Sequence, residues 1–113
     1  MPKAMREPTF WILTALAARA LHGYGIIRDV AAMSGGEVAL QAGTLYAALD
    51  RLAAEGRVEI DREEQVDGRT RRYYRLTTDG AAALDAETER LRRNVAAAVS
   101  ARRLGVHPGV QPA

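Results

Sequence analysis

The chain has 113 residues, a net charge of +2, no cysteine and two histidines, His22 and His107, far apart. That length suits a single domain, and the missing cysteines exclude a disulfide frame or a thiolate metal site. The longest apolar run, Thr9 to Ala18, is too short to span a bilayer, and no cleavage pattern follows the mixed charges of Met1 to Pro8, so the chain reads as cytoplasmic with no membrane partner. Alanine supplies much of the 48% hydrophobic content, so large core residues are few. Of the basic residues only Lys3 is lysine; the rest are arginine, whose planar, multi-donor head suits phosphate.

Residues 1–8 read as a flexible N-terminus. Thr9 is a candidate N-cap for a first helix, with Ile12, Leu13, Leu16 and Ala20 as its apolar stripe. Leu21-His22-Gly23 ends it, and His22 reads as a loop residue. A second helix is predicted from Tyr24 to Met33, with Ile26, Ile27, Val30 and Ala31 inward and Tyr24 packing between helices; Ser34-Gly35-Gly36 stops it. Glu37 to Leu40 is a connector that could hold a scrap of strand. In "LQAGTLYAALDRLAAEG", Leu45, Leu49 and Leu52 stand at i, i+4, i+7, the stripe of a third helix closed by Gly56. The face turned away from the leucines is small: Gly43, Thr44, Ala47 and Ala54.

The period then changes. Val58 and Ile60 alternate with charged residues, Asp67-Gly68 marks a tight turn, and "RTRRYYRLT" is rich in β-formers, which together predict a hairpin. Alternation places Arg69, Arg71, Tyr73 and Arg75 on one face and Arg72, Tyr74 and Leu76 on the other. Thr77 or Thr78 caps a last helix running to about Arg103, in which Leu84, Thr88, Leu91, Val95 and Ala98 form a heptad-like seam. Glu87, Glu89 and the arginines from Arg90 to Arg93 read as its solvated flanks. Residues 104–113, with proline, glycine and no period, read as a disordered tail.

Three helices followed by a hairpin make a winged helix-turn-helix over residues 9–77, with a helix for dimerisation over 78–103; the fold class is mainly α with a small β-hairpin (α+β). In such motifs the third helix enters the DNA major groove with its N-terminal end toward the bases. Small residues there let the backbone approach, Gln41 can donate and accept, and Thr44 offers a hydroxyl and a methyl. Acidic residues on the first strand make a cross-strand charge ladder the rival reading of the wing arginines.

"LHGYGIIRDV", "GTLYAALDRLAAEGRVE" and "DGRTRRYYRLTTDG", in this order and spacing, resemble the PadR family of bacterial transcriptional regulators. The resemblance implies a homodimeric winged-helix protein, usually a repressor, that binds a palindromic operator in double-stranded DNA. It puts Gln41, Ala42, Gly43, Thr44, Tyr46 and Arg51 on the DNA-facing helix and Gly68, Arg69, Arg71 and Arg72 in the wing. The interface between copies would take Phe10 and Trp11 from the first helix and Leu84, Thr88, Leu91, Val95 and Ala98 from the last. Many members carry proline where Ala47 stands, and the single C-terminal helix resembles that of the small subfamily. The last helix has no tryptophan of the kind that sandwiches planar drugs in multidrug-responsive members, and polar groups to orient a small-molecule inducer are lacking, so Trp11 reads as a structural anchor. No cofactor is expected, and no nucleophile-base pair, metal cluster or phosphate loop points to an enzyme. The rival from another class is a winged-helix module for protein contacts, which would show a large apolar or acidic patch on the recognition face.

Overall fold

The computed structural model describes residues 4–105. Its elements run α1 (Glu7–Ala18), β1 (Leu21–His22), α2 (Gly23–Met33), α3 (Ala42–Ala54), β2 (Val58–Val66), β3 (Arg69–Leu76) and α4 (Thr78–Leu104). The strands form one antiparallel sheet in the order β1-β3-β2. The apolar stripes predicted by periodicity are the core: Ile12, Leu13 and Leu16 of α1, Ile26 and Val30 of α2, and Leu45, Leu49 and Leu52 of α3 are buried together, closed over by Val58, Tyr74 and Leu84. Ile27 is half-buried at its margin.

Two local readings change. First, α1 begins at Glu7, with Arg6 at the cap position and proline in the first turn, where a missing N–H costs nothing. Thr9 therefore lies inside the helix; it is buried, and its Oγ1 accepts a hydrogen bond of 2.7 Å from the Arg51 guanidinium on α3. Second, the segment from Glu37 to Leu40 contains no strand. The extra strand is β1, where Leu21 pairs with Tyr74 and His22 with Tyr73. Two residues have no detectable period, and the open edge of β3 creates the pairing. Residues 1–3 and 106–113, which include part of the N-terminal segment read as flexible, His107 and most of the predicted tail, lie outside the described residues; within them, Met5 packs against the core and Leu104 still belongs to α4.

The hairpin forms as Asp-Gly demands. Asp67 and Gly68 both adopt positive φ, 51° and 75°, the pair of left-handed residues of a type I′ turn, whose twist matches that of the flanking strands. Val66 and Arg69 close the ladder. A bulge at Asp61 shifts the register between Ile60 and Arg62, and Ile60, opposite Tyr74, is half-exposed.

The junction between α3 and α4 is tightly built. Gly56 (φ 74°) ends α3: its N–H bonds to the Ala53 carbonyl and the Arg57 N–H to the Leu52 carbonyl, a Schellman motif. The Thr77 hydroxyl donates to the Gly56 carbonyl (2.6 Å) and accepts from the Gly80 N–H (3.0 Å), so one side chain caps α4 and ties it to the end of α3. A Cβ at Gly80 would collide with the Arg57 carbonyl.

Glu87 departs from its reading as a solvated flank. It is buried on α4, where the Arg90 guanidinium grips its carboxylate and the Met5 N–H bonds to it. Those contacts, Arg90 first, hold its carboxyl below the usual range. The far half of α4 leaves the body of the domain: Val95, Val99 and Leu104 are exposed and the molecule measures 70 × 29 × 21 Å.

Candidate nucleic-acid interface

Gln41, Ala42, Gly43 and Thr44 are all exposed at the start of α3, immediately before the buried Leu45. Gln41 occupies the cap position without spending its side chain on capping. A Cβ on Gly43 would meet nothing within 4 Å, so the packing of the chain does not ask for glycine there. Tyr46 is 49% exposed one turn later. Its ring crosses toward the start of α2, where a Cβ on Gly23 would strike the Tyr46 hydroxyl. Tyr24 stands beside it at 69% exposure and so packs between no helices, contrary to the sequence reading. Sequence pattern marks Tyr24 as aromatic but not as outward, because only the β1 pairing decides which way the α2 entry turns.

On the wing, the charge ladder is real but incomplete. Arg75 pairs with Glu59 (2.9 Å) and Asp61 (3.2 Å), Arg72 with Glu63 (3.2 Å), and Arg62 with Asp61 and Glu64 (3.1 Å each). Arg69 and Arg71 make no ion pair among the described residues, and they stand nearest the turn. The Arg72 pair is exposed on both sides, and exposed pairs hold each other weakly enough to re-pair with a stronger anion. Arg51 stands apart from this group because its guanidinium is held by Thr9. Gly68 shapes the turn.

A cleft of about 970 Å³ separates the start of α2 and α3 from the wing; His22, Tyr24, Tyr46, Arg69, Arg71 and Arg72 line it, with Asp50 and Asp67 at its rim. His22 was read as a loop residue; on β1 it stands edge-on to Tyr73, with ring centroids 5.2 Å apart. Burial, then the nearby Arg71 and Arg28, pushes its pKa down, against a smaller opposing pull from Glu64. Arg62 lies 3.8 Å over the Tyr73 ring centroid and bonds Glu64, holding that carboxyl below its usual range. Burial pushes the Tyr74 phenol up.

The geometry is that of a winged helix with a low, polar helix end beside a basic wing. The model of the transcriptional regulator PadR-like family matches residues 12–86. The chain belongs to that family. Its members are transcriptional regulators and not enzymes. A PadR family transcription regulator from Clostridium difficile superposes with a TM-score of 0.66 at 27% identity, covering 86% of this chain and 97% of that one. A transcriptional regulator from Clostridium thermocellum gives a TM-score of 0.71 at 22% identity, over 81% and 89% of the two chains. Bacillus subtilis PadR in complex with operator DNA shares the fold with a TM-score of 0.63 at 21% identity; 96% of this chain aligns with 53% of that one. No curated relative matches the chain. Among the described residues no helix is long and apolar enough to cross a membrane.

Proposed function

We propose that the protein is a repressor that binds a palindromic operator as a homodimer, with the start of α3 in the major groove and the wing on the sugar-phosphate backbone. The observation that carries this reading is Gly43, a glycine on an exposed helix face where its own fold leaves room for any side chain. A helix that must approach another surface closely explains it. The polar Gln41 and Thr44 on the same face, with Arg69 and Arg71, which make no ion pair among the described residues, favour DNA as that surface. The exposed side chains from Gln41 to Thr44 are small or polar, which favours DNA over a protein-contact module.

The homodimer is supported by α4. Thr88 is exposed and Leu91 half-buried; beyond Leu91 the seam residues Val95 and Ala98 are exposed on a stretch of helix that leaves the body of the domain. Leu84 leaves the seam, because it is buried in the chain's own core. Phe10 and Trp11 meet edge to face, centroids 5.5 Å apart, and are half-buried at the core margin, so part of each ring remains for a partner copy.

The test is binding of the purified protein to duplex DNA from upstream of its own gene, against mixed-sequence DNA, for wild type and Thr44→Ala. Preference for the upstream fragment is expected, and the variant should lose about 1–3 kcal/mol of that preference at one base position. Equal weakening on both DNAs removes Thr44 as a base reader; no binding to either removes the DNA reading.

A further inference from the structure

We propose that His22 is a proton-linked contact to the DNA backbone: a phosphate entering the cleft between α2 and the wing meets its imidazolium, so that DNA binding takes up a proton. The inference rests on the DNA reading above and adds a residue and a chemistry to it. With α3 in one groove and the wing on the next stretch of backbone, the intervening strand passes over the cleft. Donor-bearing side chains predominate in its lining, Tyr24 and Tyr46 from the helices, Arg69, Arg71 and Arg72 from the wing and His22 from β1, beside the two carboxylates Asp50 and Asp67.

The surroundings of His22 disfavour its charged form before DNA arrives. Partial burial against Tyr73 and Gly25 opposes its protonation most, followed by Arg71 on β3 and Arg28 on α2. From β2 only Glu64 favours the charged form, and that carboxylate is already shared by Arg62 and the Tyr73 hydroxyl. Asp50 of α3 and Asp67 of the turn border the same cleft, but they are present with and without DNA. A phosphodiester brings a new anion beside the ring and draws Arg71 toward itself. Both changes favour the imidazolium, so the pKa of His22 rises on binding. By linkage, affinity then rises as pH falls through the interval between the free and bound values, by up to about tenfold per pH unit for one proton.

The full chain carries two histidines, so its ring proton resonances are readily assigned with His22→Gln. NMR titration of the unmodified protein, free and bound to a mixed-sequence duplex, should show the His22 pKa raised by DNA. Over about pH 6 to 8, the dissociation constant of the same duplex should fall with pH in the wild type by several-fold more than in His22→Gln. A His22 pKa that is unchanged or lowered in the complex overturns the inference while leaving the DNA reading intact. Failure of the wild type to bind the duplex anywhere in this range, at low salt, overturns both. If His22→Gln does not fold, the NMR titration alone decides.

Discussion

A Cβ placed on Gly43 meets no atom within 4 Å, so replacing this glycine separates folding from recognition. Gly43→Ala should stabilise α3 by about 0.5–1 kcal/mol, since glycine is a poor helix former, and thermal unfolding followed by circular dichroism reads that gain. Gly43→Leu should fold equally well yet lose DNA binding, because on the proposed reading its side chain would fill the space through which the helix nears the bases. Undiminished binding by the leucine variant places α3 outside the groove. The wing gives a second contrast at this scale. Arg75 is engaged by Glu59 and Asp61, whereas Arg71 has no ion-pair partner among the described residues. Arg71→Ala should therefore flatten the logarithmic salt dependence of DNA binding by about one unit, as loss of one phosphate contact does. Arg75→Ala should leave the slope where it is, and the reverse result would reassign the contact.

At the scale of elements, the joint between α3 and α4 sets where the long helix points. The Thr77 hydroxyl joins the Gly56 carbonyl to the Gly80 N–H, and Gly80 lies so close to the Arg57 carbonyl that a methyl group collides with backbone. Backbone gives way less easily than a side-chain tip. Gly80→Ala should accordingly cost about 1–3 kcal/mol, the range for overpacking, despite alanine's better helix propensity. A calorimetric scan checks it: melting should fall by about 4–8 °C per kcal/mol in a domain of this size. An unchanged melting point would mean that α4 shifts freely on α3. At Gly23 the obstacle would be the Tyr46 hydroxyl at the far end of a side chain, so the same substitution there acts mainly by displacing Tyr46 from the cleft.

At the scale of the molecule, α4 is about 40 Å long at 1.5 Å per residue, and Val95, Val99 and Leu104 of its outer half are exposed among the described residues. Leu84 and Glu87 root the helix in the domain, and in the proposed homodimer the stripe from half-buried Leu91 through exposed Val95 and Ala98 would meet a second copy. Val95→Glu should leave the winged helix folded while halving the mass seen by light scattering, with operator affinity falling because a single domain reads only half a site. A variant that keeps the wild-type mass would move the interface away from α4.

Sequence alone determined what depends on near neighbours. The stripes at Leu45, Leu49 and Leu52 and at Ile12, Leu13 and Leu16 fold inward because helical spacing puts them on one face. Asp67-Gly68 makes its turn because few other pairs accept two positive φ angles. The exposed residues from Gln41 to Thr44 were legible for the same reason. Tertiary structure decided the rest, through contacts between residues distant in the chain. Thr9 became a buried acceptor because Arg51, on α3, reaches it. Glu87 became a buried carboxylate because Arg90 and the Met5 backbone enclose it. His22 became a strand residue facing a cleft because the edge of β3 was open. A local period cannot report such pairings: each joins two residues once, through backbone or charge, and repeats nowhere along the chain.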